Sequence, residues 1–77
     1  MKKLTQQEAE HLPEGSKVRI TWSGGNGPHN YVIHIDKWGN PQIFYQPDNP
    51  HWFSRVDSVR NAFIGLEKPF TILEVEE

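Results

Sequence analysis

The chain has 77 residues, with 8 lysines or arginines, 10 aspartates or glutamates, a formal net charge of -2 and no cysteine. This length allows one small domain, and the lack of cysteine excludes disulfides and thiolate-bound metals. The mild, dispersed charge argues against the basic stripe of a typical nucleic-acid-binding domain. Because no disulfide or metal can stabilise so small a core, the three tryptophans, four phenylalanines and two tyrosines must supply much of the buried surface.

The N-terminal sequence MKKLTQQEAEHL predicts neither export nor membrane insertion. Its two lysines are not followed by the apolar segment of a signal peptide. No apolar run approaches the roughly 20 residues needed to cross a bilayer. We therefore expect a cytoplasmic protein without a membrane partner.

A short helix is predicted over residues 6–11. Thr5 and Glu8 have the spacing of a capping box, and Leu4 is placed to staple onto Ala9. Pro13 disfavours helical geometry at the residue before it, which limits the helix to about two turns. We interpret residues 1–12 as an N-terminal extension and residues 13–77 as the folded domain.

A turn over residues 13–16 leads into a predicted strand, KVRITW, over residues 17–22. Apolar and polar residues alternate there, as in a half-buried antiparallel strand, with Val18, Ile20 and Trp22 on the buried side. A loop with three glycines follows over residues 23–29. Its composition predicts an exposed, flexible connection rather than a phosphate-binding loop, because it lacks the lysine and the following helix.

Residues 30–46 predict a tight hairpin around Asp36, Gly39 and Asn40. Asp at the first and Gly at the fourth position of a turn indicate a three-residue loop, with Gly39 in the left-handed conformation. If Asp36 pairs with Asn40, the strand register follows by counting outward. One face then has Tyr31, Ile33, Ile35, Ile43 and Tyr45, and the other has Val32, His34, Asp36, Gln42 and Phe44.

The remaining elements are short. A turn is predicted over residues 47–50 and a fourth strand over residues 51–54. Val56, Val59 and Phe63 have helical spacing and predict a short helix. Ser54 or Asp57 could cap its start, and Gly65 lies at its end. Residues 70–75 predict the last strand. Its apolar residues on both faces indicate that it is covered on each side.

The order of these elements resembles that of SH3-like small barrels, which have a long loop after the first strand and a short helix before the last. The segment LPEGSKVRI, residues 12–20, is similar to the turn-glycine and basic-apolar strand that open such barrels. The resemblance implies a mainly β fold: a five-stranded antiparallel barrel with a short N-terminal helix and a short helix before the last strand. The acidic loop and paired-proline signature of peptide-binding SH3 domains are missing, so polyproline binding is not implied.

Exposed aromatic residues are the strongest indication of a binding surface. Trp38 lies at the tip of the predicted hairpin, where it either folds back over the sheet or anchors a partner. We expect Ala9 and Leu12 of the first helix to cover Val32 and Phe44; the alternative is an exposed apolar patch. The candidate partner-binding residues are Trp38, Phe44, Val32, His34 and Trp52.

The sequence gives little support to a metal centre or an enzyme. His34 and Asp36 share a face and His29 and His51 are predicted in loops, but nothing in their spacing makes three ligands converge. No motif surrounds a serine nucleophile, and a domain of this size rarely encloses a substrate pocket. We therefore expect no catalytic activity and no cofactor.

Two functions follow as hypotheses. The first is a non-catalytic protein-interaction module, of the size expected for a small accessory or inhibitor protein of a mobile element. The second is a single-stranded nucleic-acid-binding barrel that stacks bases on its aromatic side chains. Its candidate contacts are Lys17, Arg19, Arg55 and Arg60. A homodimer through the outer sheet face is also left open.

Overall fold

The computed structural model describes residues 2–24, 27–45, 54–65 and 68–74. The elements in chain order are β1 (Lys2–Lys3), α1 (Gln6–Glu10), β2 (Lys17–Trp22), β3 (His29–Ile35), β4 (Pro41–Tyr45), β5 (Ser54–Ser58), α2 (Val59–Ile64) and β6 (Pro69–Glu74). The strands form one antiparallel sheet in the order β1-β6-β2-β3-β4-β5.

The mainly β architecture with a helix near each end of the chain is confirmed. The short strand β1, which was not predicted, pairs Lys2 with Glu74 and Lys3 with Leu73. In the part of the chain that the structure describes, β1 and β5 are the two edges of the sheet and do not pair with each other. Closure of the sheet into a barrel therefore stays a prediction.

The central hairpin has the predicted register, from Tyr31 opposite Tyr45 to Ile35 opposite Pro41. The N–H of Asp36 donates to the carbonyl of Asn40 at 3.0 Å, and the N–H of Gly39 donates to the carbonyl of Asp36 at 3.0 Å. Gly39 has φ +82°, the left-handed value that the turn requires. The hairpin prediction is confirmed residue by residue.

Helix α1 begins at the predicted capping box. The Thr5 hydroxyl accepts from the N–H of Glu8 at 3.3 Å, while the Glu8 carboxylate accepts from the N–H of Thr5 at 3.2 Å. The helix ends at Glu10, one residue earlier than predicted, with His11 as its C-cap. Leu4 and Ala9 are both buried, as the staple prediction requires.

The core lies between one face of the sheet, here called the inner face, and the two helices. Its buried residues are Leu4, Ala9, Leu12, Val18, Ile20, Tyr31, Ile33, Ile43, Val59, Ala62 and Ile72. The expectation that Ala9 and Leu12 cover Val32 and Phe44 is wrong. Both join the inner core, and α1 packs against α2, because the larger apolar area for them to bury is on the inner face.

The chain after the hairpin differs from the predicted arrangement. The predicted turn over residues 47–50 and the first three residues of the strand over 51–54 lie outside the described residues. Val56 and Asp57 belong to strand β5 rather than to a helix, because β5 pairs with β4. Ser58 caps α2, accepting from the N–H of Asn61 at 3.0 Å, so neither predicted cap is used. The end of α2 at Gly65 is confirmed.

The other strands agree closely with the predictions. Strand β2 has the predicted bounds, with Val18 and Ile20 fully buried and Trp22 packed against the core. His29 starts β3 instead of ending the glycine-rich loop, and β6 begins at Pro69. No helix within the described ranges is long and apolar enough to cross a membrane.

Candidate binding groove on the outer sheet face

The face of the sheet away from the helices, here called the outer face, contains an open groove of about 360 Å³. The groove lies beside the turn of the central hairpin and extends across β3, β4 and β5. Strand alternation aims the side chains of His34, Gln42 and Phe44 into it. Its lining residues are His34, Ile35, Asp36, Trp38, Gln42, Phe44 and Arg55.

Trp38 is the most exposed large apolar residue at the groove, with 74% of its surface accessible. Its backbone N–H donates to Asp36 Oδ1 at 2.9 Å, so the turn holds its main chain in place. The ammonium of Lys37 lies 4.5 Å from the centre of the Trp38 ring, a cation–π distance. The tryptophan therefore lines the groove and remains exposed to solvent.

A chain of polar side chains crosses the groove from the turn to the edge strand. Asp36 Oδ1 accepts from the N–H groups of Trp38 and Asn40 at 2.9 and 2.8 Å, and Asp36 Oδ2 accepts from Gln42 Nε2 at 3.0 Å. The oxygen of the same amide, Gln42 Oε1, accepts from Arg55 Nε at 2.8 Å. Gln42 is 9% exposed, and satisfying both ends of its amide makes that burial tolerable.

His34 connects the groove to the turn before β2. Its ring meets the Phe44 ring edge to face with centroids 5.0 Å apart. On its other side, His34 Nδ1 lies 2.5 Å from Glu14 Oε2, and Glu14 Oε1 accepts from the N–H of Ile35 at 2.9 Å. The Ile35 N–H, and after it His34, hold the pKa of the Glu14 carboxyl below its usual value.

Neutralising Glu14 is expected to weaken the fold in a pH-dependent way. A carboxyl whose pKa is lower in the folded state stabilises the fold above its unfolded pKa of about 4.3, and that contribution is lost as the pH falls through the folded value. Glu14→Gln should therefore lower the melting temperature at pH 7 and have less effect at pH 3. Thermal unfolding at both pH values measures this, with Glu10→Gln on α1 as the control. Equal losses at both pH values would contradict the prediction.

The structure brings together several residues that the sequence predicted for binding. Trp38, Phe44 and His34 line the groove, and so does Arg55, which was predicted only as a nucleic-acid contact. Val32 pairs with both Phe44 and Lys17 on the same face of the sheet.

The other predicted contacts lie away from the groove or are not described. Arg19 Nε donates to Asn30 Oδ1 at 3.2 Å, one residue before the last pair of the β2–β3 ladder. Arg60 lies on α2, which packs on the inner face, so it is not beside the groove. Trp52 lies outside the described residues.

Sequence reasoning missed the contributions of Glu14 and of the Gln42–Arg55 contact. The parity of the hairpin strands places Gln42 on the face of His34 and Phe44, which is a usable signal. Arg55 reaches Gln42 because β5 pairs with β4. Glu14 reaches His34 from a turn that lies 20 residues earlier in the chain. Neither has a local sequence signature.

The groove combines aromatic, amide and guanidinium side chains. Its walls are aromatic, its floor is a hydrogen-bonded amide, and its rim has one guanidinium. Within residues 2–24, 27–45, 54–65 and 68–74 there is no group of three or more His, Asp or Glu side chains that could hold a metal ion. Comparison of the chain with protein-family models, curated proteins and solved structures gives no match.

Proposed function

We propose that this protein is a non-catalytic protein-interaction module whose partner binds the groove on the outer face. The observation that supports this most directly is Trp38, 74% exposed at the rim of an open groove that Phe44 also lines. Tryptophan is enriched among residues that dominate binding energy, because its large ring buries much area with few rotatable bonds.

The size of the groove supports insertion of a partner side chain. About 360 Å³ lies at the lower end of the range for ligand sites and is enough for one or two large side chains. The groove is also prepared for binding, since hydrogen bonds already fix the Trp38 main chain and the Gln42 amide. A preformed site loses less conformational entropy when the partner binds.

The proposal extends to the fold. Leaving out β1, the sheet has the order β6-β2-β3-β4-β5, with α2 between β5 and β6 in the chain. A last strand beside the first, followed by consecutive neighbours, is what the resemblance to SH3-like small barrels implies. This order supports such a barrel as the scaffold that presents the hairpin. Scaffolds of this kind serve unrelated functions, so the groove and not the fold supports the activity.

Alanine at Trp38 or Phe44 should weaken partner binding by about 30-fold or more, the effect of removing a hot-spot side chain worth about 2 kcal/mol. The partner is first isolated from host lysate on the immobilised wild-type protein, and the dissociation constants of the purified pair are then measured by calorimetry. Ile64→Ala is the matched control, because Ile64 is 60% exposed on α2 and does not line the groove.

Two results would overturn this proposal. In one, both variants bind the partner as tightly as the wild type. In the other, both lose their cooperative thermal unfolding, so that lost binding only reports lost structure. Sedimentation of the wild-type protein alone tests self-association through the same face.

A single-stranded nucleic-acid binder is the second candidate. It is supported by Lys17, Arg19 and Arg55, three cations on the same face as Phe44. Most affinity for nucleic acid comes from phosphate contacts, so its binding must fall steeply with salt. Amide shifts at Trp38, Phe44 and Arg55 on adding a mixed-sequence oligonucleotide, reversed by salt, would favour this candidate over the first. No shifts at low salt would remove it.

A further inference from the structure

We propose that the segment recognised by the groove has an acidic side chain next to a bulky apolar one. This inference rests on the proposed function and adds the chemistry of the partner. The apolar side chain enters between Trp38 and Phe44, and the carboxylate pairs with the guanidinium of Arg55. The same seven lining residues provide both subsites.

Arg55 is positioned to receive a carboxylate. Its side chain is exposed at the rim, and the hydrogen bond from Nε to Gln42 Oε1, at 2.8 Å, uses the inner side of the guanidinium. Gln42 is held in turn by Asp36. The outer N–H groups of a guanidinium fixed in this way form the fork that matches a carboxylate.

Asp36 and Glu14, two described acidic residues at or next to the groove, are already engaged in hydrogen bonds. Asp36 accepts three hydrogen bonds, two from backbone N–H groups and one from Gln42. Glu14 accepts from the N–H of Ile35 and contacts His34. Within the described part of the chain, an incoming anion at Arg55 therefore meets a cation whose hydrogen-bond partner is the neutral amide of Gln42 and not a carboxylate.

The apolar subsite lies between two aromatic rings, one of which is in contact with a lysine. Trp38 and Phe44 provide its aromatic walls, and the ammonium of Lys37 lies over the Trp38 ring. Trp38 is nevertheless 74% exposed and lines the groove, where its ring can contact an aliphatic or aromatic side chain of the partner.

Charge complementarity favours a peptide over a nucleic acid. Among the seven lining residues, Arg55 is the one with a permanent positive charge, and Asp36 is also present. A nucleic-acid strand brings one phosphate per nucleotide and needs several cations in a row. A single carboxylate beside an apolar side chain needs one guanidinium, which is what the groove offers.

Selection from a random heptapeptide library displayed on phage tests the inference, using the full chain as bait and Trp38→Ala to remove peptides that bind elsewhere. Enriched peptides should contain Asp or Glu next to a bulky apolar residue. If the enriched peptides need Trp38 and Phe44 but show no acidic residue, the inference is overturned and the proposed function stands. If no peptide depends on Trp38, both fail.

A selected peptide then tests the role of Arg55 directly. Changing its acidic residue to the amide should weaken binding to the wild type about 10-fold, the usual effect of one charge-assisted hydrogen bond. That difference should vanish in Arg55→Gln and persist in Arg60→Gln, which removes an equal charge on α2. Arg55→Lys keeps the charge and should retain part of the difference, so a folding defect in Arg55→Gln does not decide the outcome.

The remaining results overturn the inference. An equal acid-to-amide difference in the wild type and Arg55→Gln would mean that another group binds the carboxylate. Displacement of the peptide by an unstructured thymidine oligonucleotide, added at the same low concentration as the peptide, would mean that the groove prefers phosphates.

Discussion

Replacing Ile43 by alanine is expected to lower the free energy of unfolding by about 2–5 kcal/mol. Ile43 is fully buried in β4, between β3 and β5, and faces the helices. Truncation removes three carbons from a core that has few residues to close the gap. A chain of this length has a total stability of roughly 4–12 kcal/mol, so the loss takes much of it.

Urea denaturation followed by tryptophan fluorescence measures this loss. Ile43→Val should cost about 0.5–1.5 kcal/mol, and Ile64→Ala, at a side chain that is 60% exposed, less than about 0.5 kcal/mol. The order of the three variants is the result that matters. If Ile64→Ala were as costly as Ile43→Ala, the inner face would not be the core of the protein.

Gly27→Ala should destabilise the protein by at least about 2 kcal/mol. Gly27 has φ +115°, a region that is open to glycine and strained for other residues. An added Cβ would also lie 2.8 Å from the carbonyl oxygen of Ile20. That oxygen cannot retreat easily, because Ile20 pairs with both β3 and β6 in the middle of the sheet.

Gly39→Ala is the matched control for Gly27. Gly39 has φ +82°, but a Cβ there would meet no atom within 4 Å, so the expected cost is the backbone strain alone, about 1 kcal/mol. The difference between the two variants, measured in the same urea titrations, reports the contacts of the added Cβ with Ile20 and His29 together with the different backbone strain at φ +115°. Equal costs would mean that the loop around Gly27 moves aside without penalty.

The hairpin was predictable because its information is local. Asp36 and Gly39 specify the turn, and the turn specifies the register, so every pair from Tyr31–Tyr45 to Ile35–Pro41 follows from counting. The same reasoning sorts His34, Gln42 and Phe44 onto one face. Together with Asp36, four of the seven lining residues were therefore predicted on one face without a structure.

The helix after β5 shows where local reasoning fails. Val56, Val59 and Phe63 have helical spacing, yet Val56 lies in a strand. Hydrogen bonding with β4 outweighs the weak local preference for a helix. The register between β4 and β5 shifts between Ile43 and Phe44, and Val56, which lies at this shift, is 42% exposed. Sequence spacing cannot report a pairing partner that lies more than ten residues away.

The small β-rich domain, the capped first helix, the alternating strand β2 and the hairpin with Trp38 at its tip could be predicted from the sequence alone. These follow from turn chemistry, capping and alternation over a few neighbouring residues. Three further features are visible in the folded structure alone: α1 lies on the inner face, Glu14 reaches His34, and Gln42 accepts a hydrogen bond from Arg55 at the rim of the groove. Each of these contacts joins segments distant in the chain, and the burial and hydrogen bonding gained there depend on how the whole sheet is assembled.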